Sequence, residues 1–431
     1  MLVFDSETTP LADIARRVGP VIALDAGPAQ TVRQIVTEVK QGGDAALLRC
    51  TRELDWPQAT AAGLRAGTQE LAQAASALEP ETYRALQVAI ANVRRFHERQ
   101  KPGDWWDLGE PGAVLGQKFT PLDAVGIYAP GGRAAYLSSL VMAAVPAQVA
   151  GVARIAVASP PGADGRLAPP VAAAAGMLGL TEVYKLGGAQ AVAALAYGTD
   201  TVRPVDKIVG PGNIYVTLAK TMVYGQVGTD GLYGPSELVV IADDTADPAL
   251  AALDLLSQAE HGPDSVVVLV TTSRRVLEQV EAELQRRLPE MPRRSLAEQS
   301  LLEYGALVLV RDLAEAAALS NLLAPEHVLA LVAEPLALLP RLRHAGCILL
   351  GRETPVSAGD YLAGPSHILP TGGTARFGSG LGVVDFMKRS SVIYTTGEWL
   401  RANGEHICRL ARYEELDGHA RAVEARTDET T

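Results

Sequence analysis

Seven histidines are scattered over the 431 residues, and four of them stand beside other groups that bind metals or move protons. Gln258 and His261 lie three apart in Ser257-Gln258-Ala259-Glu260-His261-Gly262, at the end of a helical pattern, so they share one helix face. An amide oxygen and an imidazole nitrogen placed that way suit a divalent ion. The same pattern also describes a histidine that meets the helix dipole just before a glycine cap. Glu326 and His327 are adjacent in Ala324-Pro325-Glu326-His327, where Pro325 ends a helix and a strand begins. An imidazole moves protons near neutral pH, and a neighbouring carboxylate orients it or activates water. A surface ion pair would have the same sequence. Asp360 and His367 share a glycine-bracketed loop of a kind that often carries function. His419 closes Glu414-Glu415-Leu416-Asp417-Gly418-His419, which reads first as a solvated acidic helix end.

Taken together, Gln258, His261, Asp360 and His419 offer two nitrogen and two oxygen donors. Imidazole suits zinc, and oxygen ligands allow coordination beyond four. Spacing alone does not bring the four together. Three glycine turns follow β-branched runs: Gly131-Gly132, Gly187-Gly188 and Gly210-Pro211-Gly212-Asn213. One such turn says little, but three on one module point to a ligand crevice at the ends of parallel strands. The dinucleotide pattern G-x-G-x-x-G is absent.

The elements that must position these groups alternate. Thr31–Thr51 and Thr82–Arg99 carry apolar residues at helical spacing, and Pro102-Gly103 and Pro111-Gly112 mark loops. From about Asp123, strands are expected at Val125–Tyr128, Ile155–Ala158, Glu182–Lys185 and Lys207–Val209, with alanine-rich helices between them. A second series runs through Leu238–Ile241, Ser265–Thr271, Ala306–Val310, His327–Val332 and Cys347–Leu350. Two doubly wound βαβ modules result, with no residue-level repeat between them. After Ser391 the chain is read as a polar helical tail.

The length calls for at least two domains. A net charge of −11 argues against a nucleic-acid partner, and the basic stretch Arg286–Arg294 is broken by Pro289 and Glu290. No apolar run is long enough to span a bilayer, and the first residues lack the layout of a secretory signal. Cys50, Cys347 and Cys408 fit neither a zinc motif nor a disulfide framework, and are expected to be buried free thiols in a reducing cytoplasm.

Across about Val32 to His419 the chain resembles the histidinol dehydrogenase family. The resemblance is carried by Tyr128-Ala129-Pro130-Gly131-Gly132, Gly187-Gly188-Ala189-Gln190-Ala191 and Gly210-Pro211-Gly212-Asn213, then by Gly234-Pro235-Ser236-Glu237, Ser257–Gly262, Ala324–His327, Gly359-Asp360-Tyr361 and Leu369-Pro370-Thr371-Gly372-Gly373. It implies an α/β fold of two Rossmann-like, doubly wound parallel-sheet domains with helical N- and C-terminal extensions, in an intertwined homodimer. The domains would be an extension at 1–22, a first module at 23–124 plus 236–380, a second at 125–235 and a dimerisation tail at 381–431.

The activity implied is zinc-dependent oxidation of L-histidinol through the aldehyde to L-histidine, with two NAD reduced. Gln258, His261, Asp360 and His419 would hold one Zn2+ per subunit. Glu326 and His327 would be catalytic, and His327 would also touch substrate together with Ser236, Gln258, His261, Asp360, Glu414 and His419. Tyr128, Gln190 and Asn213 would contact NAD. Glu414 and His419 would reach the partner's site through an exchanged tail.

Three positions depart from the family's usual residues: Tyr233 before Gly-Pro-Ser-Glu, Ser366 before His367, and Thr229. They keep open a paralogue with the same chemistry on another small alcohol, such as a sulfonated propanediol, for which Arg133 or Arg376 would supply positive charge. A zinc-binding scaffold without catalysis would lack the Glu326-His327 pair, and a metal-free Rossmann dehydrogenase would carry the missing glycine pattern.

Overall fold

The computed structural model describes residues 1–19, 27–131, 136–231 and 233–427. Gly132 and Arg133, and the end of the expected N-terminal extension, lie outside the described residues.

Strands among the described residues are β1 (Leu2–Asp5), β2 (Trp105–Asp107), β3 (Ala113–Pro121), β4 (Ala124–Tyr128), β5 (Arg154–Ser159), β6 (Glu182–Lys185) and β7 (Lys207–Val209). They continue as β8 (Gly228–Thr229), β9 (Glu237–Ala242), β10 (Val266–Thr271), β11 (Gly305–Leu309), β12 (His327–Leu331), β13 (Cys347–Leu350) and β14 (Met387–Thr395). One parallel sheet has the order β6-β5-β4-β7-β8, and a second has the order β1-β11-β10-β9-β12-β13. With β1 set aside, each places its first strand in the centre, its second and third on one side and its fourth and fifth on the other. The order reverses between β4 and β7 in one sheet and between β9 and β12 in the other, and such reversals open crevices.

Composition explains why these strands are central. All six residues of β9 and all six of β10 are buried, as a parallel sheet with both faces covered requires. The helix Leu137–Ala150, which follows β4, is apolar on nearly every side and is buried accordingly. It packs against helix Pro80–Glu98, and helix Pro28–Leu54 packs on the helices that follow β6 and β7.

The chain separates into two compact units, one of residues Met1–Gln100 and Leu122–Phe386, the other of Lys101–Pro121 and Met387–Thr431. The first holds both parallel sheets. In the second, β14 pairs antiparallel with β3 from Met387↔Pro121 to Thr395↔Ala113, and β2 lies on the other side of β3. Helices Gly397–Tyr413 and Asp417–Thr427 pack together over a small core of Cys408, Ala411 and Ala420.

Two expectations are corrected. The N-terminal extension is not wholly helical: Leu2–Asp5 forms β1, an edge strand beside β11. Nor does the chain return to helix at Ser391, because β14 runs on to Thr395 and the helix begins at Gly397. The reason is the same in both. β1 is four residues long, and β14 has no residue fully buried, so neither carries an apolar alternation to be read. Among the described residues, no helix is long and apolar enough to cross a membrane.

Candidate active site

His327 is the first residue of β12, paired with Leu238 of β9 on one side and Cys347 of β13 on the other. Ala324, in the left-handed region at φ 49°, closes helix Leu313–Leu323, and Pro325 prevents its continuation. The turn therefore delivers Glu326 and His327 to the amino ends of central strands, inside the protein. Burial, with the charges of His367 and His261, drives the His327 pKa down to about 3, so the ring is neutral at physiological pH. Its Nδ1 has no hydrogen-bond partner. Glu326 Oε2 lies 3.7 Å from Nδ1 and Asp360 Oδ1 lies 3.6 Å from Nε2, both too far for hydrogen bonds.

Burial holds the Glu326 carboxyl well above its usual range, and the nearby Glu237 and Asp360 charges add to the shift. Glu326 Oε2 accepts the backbone N–H of Glu237 at 3.0 Å. Glu237 Oε2 accepts the N–H of Glu326 at 3.1 Å, and its Oε1 accepts that of Gly372 at 2.6 Å. Burial moves the Glu237 pKa up to about 7.

Asp360 lies in the last turn of helix Val356–Tyr361, and burial alone moves its pKa up to about 6. His367 joins the two modules: its Nδ1–H donates to the Asp360 carbonyl at 2.7 Å, which leaves Nε2, 3.1 Å from Ser139 Oγ, to accept from that hydroxyl. Burial lowers the His367 pKa to about 4. Gln258 is buried in the last turn of helix Pro248–Ala259. His261 follows with an exposed ring stacked on Tyr136, centroids 6.4 Å apart and planes 14° from parallel. Ser236 sits half-buried just ahead of β9. The structure thus gathers Glu326, His327, Asp360, His367 and His261 where the amino ends of β9 and β12 meet the helix that follows β4. Glu414 and His419 belong to the second unit, where both are exposed.

A second constellation lies at the carboxyl ends of the five-stranded sheet. Tyr128 ends β4, and its buried hydroxyl accepts the Gly188 N–H at 3.1 Å; burial pushes the phenol up to about 12. Gln190 is buried in the first turn of helix Gly188–Tyr197, its Nε2 donating to Asp55 Oδ2 at 3.0 Å while its Oε1 has no partner. Asn213, exposed, caps helix Ile214–Val223 by accepting from Tyr215 N at 3.0 Å and Val216 N at 3.2 Å. Tyr128 and Asn213 flank the β4–β7 reversal. Sequence reasoning missed Asp55, which also accepts the Gly187 N–H at 2.9 Å. It caps helix Pro28–Leu54 at a great sequence distance from the loop it holds, and no local pattern marks it.

The departures also find places. Gly210 adopts φ 111°, and a Cβ there would strike the Tyr128 carbonyl. Its N–H donates to Asp230 Oδ2 at 2.6 Å and its carbonyl accepts from Lys220 Nζ at 3.1 Å, while Lys220 and Asp230 form a buried ion pair. The Tyr233 ring covers that pair, with Lys220 Nζ 4.6 Å from its centroid. Ser366 donates to the Met142 carbonyl at 3.2 Å, and Thr229 pairs with Ile208 in β8. Arg376 is committed to the Leu322 carbonyl.

Cys50 and Cys408 are buried free thiols, as expected. Cys347 is only half-buried; burial, with Asp360 and Glu326, pushes its thiol up to about 11. Among the described residues, no group of three or more His, Cys, Asp or Glu could hold a metal ion within one chain.

Two Rossmann-like modules, a glycine-loop crevice at one strand reversal and a buried imidazole–carboxylate site at their junction define a dinucleotide-dependent oxidoreductase of the α/β class. The family model for histidinol dehydrogenase matches residues 25–427. The chain is 51% identical over 410 residues to histidinol dehydrogenase of Bacillus licheniformis, covering 94% of this chain and 96% of that protein. To that of Moorella thermoacetica it is 50% identical over 422 residues, covering 97% and 100%. The crystal structure of histidinol dehydrogenase from Elizabethkingia anophelis superposes with a TM-score of 0.94 at 34% identity, covering 99% of this chain and 98% of that one. The chain belongs to the histidinol dehydrogenase family.

Proposed function

We propose that the protein oxidises L-histidinol to L-histidine through the aldehyde, reducing two NAD. The observation that carries this reading is the junction itself, where a neutral, buried His327 lies between the carboxyls of Glu326 and Asp360. NAD, when bound, accepts the hydride. We assign its contacts to Tyr128, Gln190 and Asn213, within the module at 125–235. The segment 236–380 supplies the acid–base groups.

The donor chemistry also fits zinc. Gln258 offers an amide oxygen, His261 an imidazole and Asp360 a carboxylate that burial alone has shifted upward. His419 of a partner subunit would complete the set, and with it Glu414, through a tail at 381–431 exchanged in a homodimer. Exposed Trp106, Ile393 and Tyr413 in the second unit support such a partner. Bound zinc would supply a fixed positive charge that holds substrate nitrogens and favours ionised Asp360 and Glu326.

His327 Nε2, on the Asp360 side, takes the hydroxyl proton as hydride leaves the carbinol carbon. Ser236 stands beside the substrate. Ionised Glu326, with His327, then takes a proton from water as its oxygen attacks the aldehyde carbon, and a second hydride departure gives the acid. His367 holds the backbone of Asp360 against the helix after β4 and so fixes the site's width.

The test is NADH formation from limiting L-histidinol, with zinc present and after chelation. Two NADH per histidinol, lost on chelation and restored by zinc, are expected. A folded, zinc-loaded protein that leaves histidinol untouched would overturn the reading. The cofactor assignment makes a separate prediction. Asp55→Ala removes the charged acceptor that fixes Gln190 and Gly187, so the KM for NAD should rise about tenfold with kcat little changed. An unchanged KM would remove Asp55 and Gln190 from the cofactor site.

A further inference from the structure

Glu237 is a buried carboxyl that the reaction as described does not use, 1% exposed at the start of β9. An acidic side chain in such a place is costly unless its oxygens are satisfied. Its two oxygens accept two different backbone N–H groups, one from Glu326 and one from Gly372. Its own N–H donates to Glu326 Oε2 at 3.0 Å. Two glutamates at the mouths of neighbouring strands therefore hold each other, carboxyl to backbone in both directions. The arrangement reaches further. Cys347 N–H donates to the Glu326 carbonyl at 2.8 Å, so both backbone groups of Glu326 are fixed. Gly234 N–H donates to Thr371 Oγ1 at 2.6 Å, which draws the Leu369–Gly373 loop onto the same strand end.

We propose that Glu237 is the positioning residue for Glu326: its carboxyl anchors the Glu326 backbone N–H, and from that fixed backbone the Glu326 side chain sets Oε2 on the Glu237 N–H and leaves Oε1 as the oxygen that meets water. This rests on the reading of Glu326 as the group that activates water for the second oxidation. Both Glu237 oxygens are committed to backbone N–H groups, so Glu237 acts through Glu326 and not on the substrate. Its carboxyl fixes the backbone from which the Glu326 side chain extends, and an error of an ångström in such a group costs up to about a hundredfold in rate.

Glutamine is the diagnostic replacement, because it has nearly the same shape but only one acceptor oxygen. Its amide NH2 must oppose either the Glu326 or the Gly372 N–H. The two oxidations are measured separately, as NADH from histidinol in its first turnover and NADH from the aldehyde supplied directly. In Glu237→Gln the aldehyde oxidation should fall about ten- to a hundredfold while the alcohol oxidation changes less than about threefold. Glu326→Gln and the double variant complete a cycle. If Glu237 acts through Glu326, the double variant matches Glu326→Gln alone. Losses that multiply, or equal losses in both oxidations, would overturn the proposal. An intact aldehyde oxidation in Glu326→Gln would instead overturn the reading beneath it. Should Glu237→Gln not fold, Glu237→Asp keeps both oxygens but is too short to reach both N–H groups, and the same split is expected.

Discussion

Replacing His327 by asparagine is expected to lower the rate of NADH formation from histidinol by about a thousandfold, with the KM for NAD unchanged. A positioned general base contributes on the order of a hundred- to ten-thousandfold. Asparagine keeps polarity and most of the volume at the mouth of β12 but cannot take a proton. The environment of His327 keeps its ring unprotonated, which is the form a base requires. Its pKa is pushed down to about 3, first by burial and then by His367 and His261, so the neutral ring persists from alkaline solution until the pH falls towards that value. The wild-type rate should therefore show no acid limb near the ordinary histidine pKa of about 6.5 that asparagine abolishes. A variant that keeps more than about a tenth of the rate would move the proton transfer elsewhere, since the low end of the expected contribution is about a hundredfold.

The site was legible in the sequence where chemistry and local structure coincide. Pro325 ending a helix ahead of Glu326-His327 predicts a strand mouth, and β12 begins at His327. The ends of β6, β7 and β13 fall where β-branched runs meet glycine. What the sequence could not express were partners fixed by topology. Asp55 meets Gln190 from 135 residues away, and Glu237 meets Glu326 from 89. A lone acidic residue after a helix, or one inside a strand otherwise made of Leu, Val, Ile and Ala, carries no periodic signal. Tyr233 is the opposite case. A tyrosine at that position can enter the pocket or pack beside it, and its ring lies over Lys220, behind the Gly210 loop. Only the fold distinguishes packing from contact there. β1 is too short, and β14 too exposed, to carry an alternation that marks a strand.

Mixing two inactive chains is expected to restore about a quarter of the wild-type activity, if each site takes His419 from the partner. His327→Ala and His419→Ala should each abolish turnover in the pure homodimer. In a heterodimer with exchanged tails, one site combines both lesions. The other combines the native His327 of one chain with the native His419 of its partner, and is whole. Random association makes about half the dimers mixed, and half of their sites are whole. Were each tail to serve its own chain, every site would carry one lesion and nothing would be recovered. The result thus separates two origins of the fourth proposed ligand without depending on the metal's identity. The composition of the single chain favours the first. Gln258, His261 and Asp360, the other ligands proposed, lie in the first unit, but His419 stands exposed in a second unit whose core among the described residues is three buried side chains. Trp105 and Trp106 are exposed on β2, and Ile393 and Tyr394 on β14. Apolar groups of that size on a unit so small are costly in water, and a partner subunit that covers them would hold the tail that carries His419 in place. Mixed dimers, confirmed by differential tags, with no recovered activity would sink the shared site.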